Sequence, residues 1–340
     1  MQDDRVFLAG GTGFLGGALL EQLLEQGYAV RALARRPETL PRHPQLEVVP
    51  GDLSDAARLA QQMNGCHAIL HCAALVSNWE RDESEFYRVN LDGFRNILTA
   101  SRKAEAQVLL YTSTFFALGP APLPGASDGS GLRSRKWHPY QHSKFLARVE
   151  ARQALASGYP IIILYPGVIY GPGKRTQGNL VVQIIADFLA GRVPALLGDG
   201  SQIWSYAYVQ DVARGHMSAL RKCRSGGEFV LGGDNVSLRE FFGTLGELVG
   251  KPGPRLKIPI PVGMVLAGFE LALARCLGRL PKMTPATARM MGQSWACDSE
   301  RARRELGYDF RSLEEGLRET LEWMRVPIVQ KDSTGRRDFT

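Results

Sequence analysis

Residues 5–16 read RVFLAGGTGFLG and join an apolar run to a glycine-rich turn that opens an amphipathic stretch. A glycine string between a strand and a helix is far more specific than the same string elsewhere. Gly10 permits a tight turn, Gly13 allows a ligand to approach the backbone, and Gly16 allows close packing of the helix. The helix N terminus adds amide donors and partial positive charge. The segment predicts a dinucleotide pyrophosphate site formed by Gly10, Thr12, Gly13, Phe14, Leu15 and Gly16.

Short apolar runs alternate with amphipathic segments through the first half of the chain. The runs predict strands at 5–9, 29–33, 46–49, 68–72, 107–112 and 160–165. The amphipathic segments predict crossover helices at 14–26, 83–104 and 139–157. This βαβ rhythm is typical of an α/β fold with a doubly wound, Rossmann-type parallel sheet. We expect it over residues 1–166, completed by parts of 203–233, with the Gly/Pro/Ser-rich segment 119–138 as a loop over the active site.

The pattern becomes irregular after residue 166, which predicts a smaller C-terminal α/β substrate domain at 167–202 and 234–326. A helix is expected near 179–190 and a strand near 204–209. Ser237 with Glu240, and Ser312 with Glu315, form capping boxes that mark two helix starts. The polar tail, 327–340, is expected to fray.

Composition excludes several classes of protein. The chain has 340 residues, of which 44% are hydrophobic and 22% charged, so it is neither disordered nor fibrous. The formal charge of +7 is scattered, which favours an anionic cofactor or membrane surface over nucleic acid. Five cysteines without a Cys-x-x-Cys pair indicate neither a disulfide framework nor a metal site. With no signal-peptide core near the start, we expect a cytoplasmic protein.

The end of the second predicted strand indicates which dinucleotide is bound. An NAD-selective site would place an acidic residue there, whereas this chain has Arg35 and Arg36. Arginine suits a 2′-phosphate, so NADP(H) is favoured over NAD(H). Asp52 and Leu53 follow the third strand and are placed to meet the adenine ring.

Tyr140 and Lys144 lie four residues apart where the fifth helix begins, so they share one helix face. A phenol is a poor base at neutral pH, and a neighbouring ammonium stabilises its phenolate and lowers its pKa. Thr114, after the fifth strand, is a candidate to bind the substrate oxygen, with Ser113 as the competing candidate. Asn90, inside the fourth helix, is expected to support the active-site backbone or a water path.

Six motifs occur in a characteristic order: GGTGFLG at 10–16, GDL at 51–53, HCAA at 71–74, YxxxK at 140–144, PGVIYGPG at 166–173 and DSERARRELGY at 298–308. Together they resemble the extended short-chain dehydrogenase/reductase family over nearly the whole chain. The resemblance implies that Tyr140 is the acid/base, that Lys144 binds the nicotinamide ribose and that Thr114 orients the substrate. It also implies cofactor contacts from Ala73, Ala74, Pro166 and Val168, and substrate contacts from Val76, Phe115, Trp204 and Asn179.

Within that family the chain looks most like the branch of farnesol dehydrogenase, dihydroflavonol-reductase-like proteins and 3β-hydroxysteroid dehydrogenase. Sugar-nucleotide enzymes of the family carry a diphosphate-binding Arg at the position of Trp204, and often another at that of Tyr165. Two aromatic residues in place of two cations favour an apolar substrate. The alternative for Trp204 is packing at the domain interface. We expect an NAD(P)-dependent oxidoreductase interconverting a hydroxyl and a carbonyl on an isoprenoid, sterol or flavanonol-like substrate. The alternatives are a nucleotide-sugar epimerase/dehydratase and a non-catalytic dinucleotide-binding regulatory protein.

Residues 262–280 are nearly all apolar, and Val262, Leu266, Phe269, Leu273 and Leu277 form one stripe at helical spacing. Lys251, Arg255, Lys257, Arg279 and Lys282 flank the segment. It contains Glu270 and Arg275, so we do not expect it to span a bilayer. Two interpretations stay open: a buried helix of the smaller domain, or a surface that contacts a membrane or covers a greasy substrate. A homodimer is a further expectation.

Overall fold

A seven-stranded parallel sheet forms the centre of the larger unit, with the strand order β10-β6-β5-β4-β1-β2-β3. The computed structural model describes residues 5–121, 138–176, 179–223, 225–331 and 337–339. The strands are β1 Arg5–Ala9, β2 Ala29–Ala34, β3 Leu46–Pro50, β4 Ala68–His71, β5 Val108–Thr112, β6 Ile161–Pro166, β7 Val168–Tyr170, β8 Ala195–Leu197, β9 Ile203–Tyr208, β10 Gly227–Leu231, β11 Asp234–Ser237, β12 Leu256–Ile258, β13 Val329–Lys331 and β14 Arg337–Phe339.

The helices are α1 Phe14–Glu25, α2 Ala56–Met63, α3 Ser84–Tyr87, α4 Gly93–Lys103, α5 Pro139–Ala156, α6 Leu180–Leu189, α7 Val209–Lys222, α8 Leu238–Val249, α9 Ile260–Cys276, α10 Pro285–Met291, α11 Glu300–Leu306 and α12 Leu313–Trp323. Every residue of β4, β5 and β6 is buried, as expected for parallel strands covered on both faces. The predicted doubly wound α/β fold is confirmed. Most of the predicted loop 119–138 lies outside the described residues.

The single helix predicted at 83–104 is interrupted. A π-helical turn, Arg88–Asp92, separates α3 from α4. Such turns are rare and frequently occur at functional sites. Here the turn carries Asn90, whose side chain is buried. Hydrophobic periodicity predicts the helix but not this extra residue within it.

The smaller unit is built around a second sheet with the order β11-β9-β7 and the parallel pair β8 and β12. Both predicted capping boxes are present, at the starts of α8 and α12. Of the segment 203–233, β10 joins the large sheet while β9 belongs to the small one. Within the described part of the tail, β13 and β14 pair as an antiparallel ribbon.

Candidate functional site

The predicted site residues converge on one edge of the large sheet. Because β1, β4, β5 and β6 are mutually parallel, their carboxyl ends meet there. The glycine loop follows β1, Ala73 and Ala74 follow β4 closely, Ser113 and Thr114 follow β5, and Pro166 ends β6. Ligands of doubly wound sheets bind beyond this edge.

The glycine loop has the shape that its sequence predicts. Gly10 has a φ of +105°, and a Cβ there would lie 2.5 Å from the Ala73 nitrogen. A Cβ on Gly16 would lie 2.0 Å from the Gly10 carbonyl oxygen, so helix and loop are in direct contact. At Gly13 the nearest atom to a Cβ is 3.2 Å away. All three positions thus favour glycine: Gly10 and Gly16 exclude a side chain, and a Cβ on Gly13 would press on the Gly10 carbonyl.

The start of α1 fits an anionic group. No side chain caps its first turn, and that turn contains no acidic residue. Its amides and partial positive charge are thus available to a pyrophosphate. Phe14 and Leu15 are buried beneath the turn, whereas Thr12 is half-buried at its surface. The residues present fit the dinucleotide that the motif implies.

The residues predicted to meet the adenosine lie at the ends of β2 and β3. Arg35 and Arg36 are exposed and form no ion pair with a described residue. Hydrogen bonds from Ser54 lower the pKa of Asp52, and the charge of Arg35 adds to this effect. The Leu53 carbonyl accepts a hydrogen bond from Asn96 Nδ2 at 2.7 Å, which fixes the turn.

Helix α5 begins at a cap that the sequence did not reveal. His138 Nδ1 accepts a hydrogen bond from the Tyr140 backbone N–H at 3.1 Å. His138 Nε2 lies 2.9 Å from the Asn78 carbonyl oxygen, so this nitrogen carries the proton. Burial lowers the pKa of His138, which preserves this neutral form. The residue ties the start of α5 to the loop after β4, and its place just before Pro139 was the available signal.

Lys144 is held deep below the site. Its Nζ donates to the Thr112 carbonyl oxygen at 2.8 Å and lies 4.7 Å from the centre of the Tyr111 ring. The side chain is buried, and burial lowers the pKa of Lys144 to about 7. The Thr112 hydroxyl lies 2.9 Å from Nε2 of buried His216. Sequence reasoning missed Thr112 and His216, because neither stands in a motif used for the prediction.

Tyr140 differs from expectation in its electrostatics. Burial raises the pKa of Tyr140 to about 12, and a hydrogen bond to the Thr114 side chain acts in the opposite direction. Lys144 is not among the groups that shift the Tyr140 pKa, and its amine donates to the Thr112 carbonyl oxygen. The phenol is therefore protonated at neutral pH.

The competing residues Ser113 and Thr114 lie near different phenols, and the Ser113 Oγ forms no hydrogen bond with a described residue. Burial raises the pKa of Tyr111, and the neighbouring Ser113 hydroxyl lowers it. Thr114 instead interacts with Tyr140. Thr114 is thus the hydroxyl placed beside the candidate acid/base.

Asn90 bridges two parts of the site. Its Oδ1 accepts from the Leu75 N–H at 2.8 Å, and its Nδ2 donates to the Leu75 carbonyl and the Ser143 hydroxyl, both at 3.1 Å. Ser143 precedes Lys144 on α5. Asn90 therefore links the backbone after β4 to helix α5.

The predicted substrate residues do not form one surface. Phe115 and Trp204 lie together, with ring centroids 6.3 Å apart, in a cluster with Phe116 and Trp295. Trp204 is only 7% exposed, and its Nε1 donates to the Gln293 carbonyl at 3.1 Å. It packs behind Phe115 rather than offering a free face.

The other predicted contacts differ in exposure. Val76 is exposed on the loop after β4. Asn179 is buried, with Nδ2 donating to the Gly171 carbonyl at 3.3 Å and Oδ1 unpartnered among the described residues. Val168, in β7, pairs with Tyr206 of β9 and packs into the core of the smaller unit.

The inference drawn from Tyr165 is wrong. The side chain is buried between β6 and α5, and its hydroxyl donates to Glu228 Oε2 at 2.7 Å and accepts from Arg148 Nε at 3.2 Å. Alternate residues of a strand point to opposite faces of the sheet, and Tyr165 belongs to the face covered by α5. It therefore cannot report the chemistry of the substrate.

Comparison with known proteins places this geometry in context. The model of the NAD dependent epimerase/dehydratase family matches residues 6–232. A protein from Synechocystis sp., provisionally named a dihydroflavonol 4-reductase, is 34% identical over 95% of each chain. The 4-hydroxy-2-methyl-3-oxo-4-farnesyl-3,4-dihydroquinoline-1-oxide ketoreductase of Stigmatella aurantiaca is 31% identical over 89% of this chain and 91% of its own.

A solved structure has the same fold over almost its full length. The crystal structure of gox2253 superposes with a TM-score of 0.79 at 29% identity, covering 95% of this chain and 98% of that one. The family predicted from the six motifs is thereby confirmed. The chain belongs to the NAD dependent epimerase/dehydratase family, the extended short-chain dehydrogenases/reductases.

Proposed function

We propose that this protein is an NAD(P)-dependent oxidoreductase that interconverts a hydroxyl and a carbonyl on a hydrophobic substrate. The carrying observation is the arrangement at the end of β5, where Thr114 interacts with Tyr140 and Lys144 is held against the Thr112 carbonyl. The glycine loop opens on the same edge of the sheet. Buried titratable groups with strongly shifted pKa values are typical of active sites.

In this mechanism Tyr140 moves the proton of the reacting hydroxyl. The bound nicotinamide dinucleotide supplies the hydride acceptor or donor for the carbinol carbon. The Thr114 hydroxyl orients the substrate oxygen beside the Tyr140 phenol, and Lys144 binds the nicotinamide ribose. Burial raises the pKa of Tyr140, so its phenol is protonated at neutral pH and can donate the proton to a carbonyl oxygen when the enzyme works as a reductase. Asn90 and His138 position α5 and do not touch the reacting atoms.

The glycine loop, Ala73, Ala74 and Pro166 are proposed to hold the cofactor, with Asp52 and Leu53 beside its adenine and Val168 behind Pro166. NADP(H) is the proposed preference. Its support is that Arg35 and Arg36, just after β2, are exposed and outside any ion pair among the described residues. A free guanidinium is a suitable partner for a 2′-phosphate.

The proposed substrate is an isoprenoid, sterol or flavanonol-like molecule, which places the enzyme in lipid or steroid metabolism. Support comes from the relatives named for dihydroflavonol and farnesyl-quinoline reduction. Val76 and Asn179 stay proposed substrate contacts, while Trp204 acts by holding Phe115. A cytoplasmic location and a homodimer stay proposals; the described cysteines are free, which suits a reducing compartment.

A nucleotide-sugar epimerase or dehydratase is the alternative that the family name itself supports. The relatives named for dihydroflavonol and farnesyl-quinoline reduction favour the oxidoreductase over it. A non-catalytic regulatory protein is disfavoured because it would not need the Tyr140 and Thr114 pair.

The test is to incubate the protein with NADP⁺ or NAD⁺ and a panel of terpenoid alcohols, sterols, flavanonols and UDP-sugars. Absorbance of the reduced cofactor is followed, with the reverse reaction run on the matching ketones. We expect turnover with a lipophilic alcohol or ketone and faster reaction with the NADP couple. Turnover confined to UDP-sugars would contradict the proposed substrate class, and a failure with every substrate in the panel would contradict it as well.

A further inference from the structure

Helix α9 places its large apolar side chains outward. Val262, Val265, Leu266, Phe269 and Leu273 are between 49% and 71% exposed, with Phe269 the most exposed. Leu277 and Leu280 extend the surface at 65% and 61%, and Leu256 adds to it at 65%. We name these eight residues the α9 apolar face. Contiguous apolar surface of this kind on a folded chain marks an interaction site.

The inward side of α9 is made of small residues. Its buried positions are Gly263, Ala267 and Ala274. A Cβ on Gly263 would lie 2.3 Å from Leu197 Cδ1, so the helix is seated closely on the smaller unit. Gly268 faces Pro285 of α10. The α9 apolar face is therefore not the core-facing side, and the buried-helix interpretation is wrong.

The rim of this face is positively charged. Arg255, Lys257, Arg275 and Lys282 are exposed, and their side chains form no ion pair or hydrogen bond with the described residues. The one acidic residue of α9, Glu270, is neutralised by Arg279 at 2.7 Å and 2.9 Å. The face thus combines apolar side chains with unpaired cations, and its only acid is paired.

The charge of the rim indicates which kind of partner the α9 apolar face binds. A second copy packed on the same face through a two-fold axis would bring two cationic rims together, which is repulsive. An anionic lipid surface attracts the rim and accepts the apolar side chains at the boundary between headgroups and acyl chains. None of the described helices has the length and apolar character needed to cross a bilayer. The pattern is that of a helix lying in the interface.

The α9 apolar face is connected to the candidate substrate side. A cavity of about 450 Å³ lies at the start of α9, between Ile260 and the segment 292–294. The Gln293 carbonyl in that segment receives the Trp204 indole N–H, and Trp204 packs on Phe115, next to Thr114. The first turn of α9 is thus linked through packed residues to the segment beside Thr114.

We propose that the α9 apolar face docks the protein on anionic membrane lipid, so that a hydrophobic substrate reaches the enzyme from the bilayer surface. Docking rests on the exposed side chains and charges of α9, and substrate delivery rests on the proposed function. Binding measured without turnover therefore separates the two.

The experiment is co-sedimentation of the full chain with vesicles of phosphatidylcholine alone or of phosphatidylcholine mixed with phosphatidylglycerol. We expect binding that rises with phosphatidylglycerol and falls with added salt, because the cationic rim acts through screened attraction. Phe269→Glu should weaken binding about tenfold or more, since it places a charge where the docked protein would bury an apolar ring in the lipid. Arg275→Gln should weaken it less, and only on anionic vesicles.

Lys103→Gln is the matched control, because it also lowers the net charge by one but lies at the far end of α4. It should bind like the wild type. Thermal melts of the three variants should stay close to the wild type, as expected for exposed positions. Absence of wild-type binding, or equal loss in Lys103→Gln and Phe269→Glu, would overturn the proposal. A lipid-free dimer that Phe269→Glu converts to a monomer, with no vesicle binding, would assign the face to a second copy instead.

Discussion

Helices α5 and α9 depart from the usual burial rule in opposite directions. Helix α5 buries polar side chains, among them Gln141, Ser143 and Lys144. Helix α9 buries only glycine and alanine and exposes two leucines, both valines and its phenylalanine. Burying a charge and exposing large apolar groups both cost stability. We propose that the first departure marks the active site and the second marks a docking surface.

The largest expected effect is a difference in stability loss between two aromatic substitutions, one at Trp204 behind the α5 site and one at Phe269 on α9. Trp204→Ala should cost about 3–5 kcal/mol of unfolding free energy, because a packed indole and its hydrogen bond are lost. Phe269→Ala should change it by less than about 0.5 kcal/mol, because the ring is already solvated. Denaturant unfolding of both variants measures the difference. Equal losses would show that α9 is packed like the core.

The second prediction concerns the lysine that α5 buries. The pKa of Lys144 in the folded, cofactor-free protein is lowered to about 7. Between that value and its ordinary pKa the unfolded chain binds more protons, so stability rises with pH and the penalty of burial is largest below pH 7. Relative to Lys144→Met, the wild type should gain up to about 1.4 kcal/mol per pH unit from about pH 7 to 9. Parallel stability curves would contradict this, and Lys103→Met controls for loss of an exposed lysine.

Exposed cations beside the two functional regions are predicted to serve different ligands. Arg35→Ala should raise the Kd for NADP(H) about tenfold or more and leave that for NAD(H) nearly unchanged, since a charge-assisted bond to the 2′-phosphate is lost. Vesicle binding should be unaffected. Arg275→Gln should weaken vesicle binding and leave the Kd for both cofactors unchanged. Calorimetric titration measures the cofactors, and equal weakening of both by Arg35→Ala would remove Arg35 from phosphate recognition.

A smaller effect is expected at the cap of α5. His138→Ala should cost about 1 kcal/mol, because the Tyr140 backbone N–H loses its acceptor. It should also lower kcat by shifting Tyr140. His138→Asn, which keeps an acceptor at the cap, should recover most of the lost stability and most of the lost kcat. If Asn restores neither the melting temperature nor kcat, the histidine does not act as a cap.

The sequence predicted what depends on local chemistry. The glycine loop, the Tyr140–Lys144 helix face and both capping boxes follow from residue types at short spacing, and the structure has the loop, the helix and both boxes. The sequence could not decide whether a side chain faces the core or the solvent. A stripe at helical spacing, as in α9, has the same pattern whether it faces core or solvent. Tyr165 and Trp204 stand where related sugar enzymes carry arginines, and this replacement suggests an apolar substrate. Strand register and packing instead bury both side chains in the protein core.

The electrostatics of the site were also beyond the sequence. Spacing places Lys144 on the same helix face as Tyr140. It cannot show that the Lys144 amine donates a hydrogen bond to the Thr112 carbonyl oxygen. The π-helical turn that carries Asn90 and the contact of His138 with Asn78 likewise depend on tertiary neighbours.

The most direct test of catalysis from α5 is the turnover of Tyr140→Phe with NADPH and a hydrophobic ketone found in the substrate panel, followed by loss of reduced-cofactor absorbance. The variant removes only the phenolic oxygen, so cofactor Kd should stay near the wild-type value. We predict a fall in kcat of about 10²–10⁴-fold, the usual contribution of a positioned acid. A variant that retains more than about a tenth of the wild-type rate would contradict the assignment of Tyr140 as the acid/base.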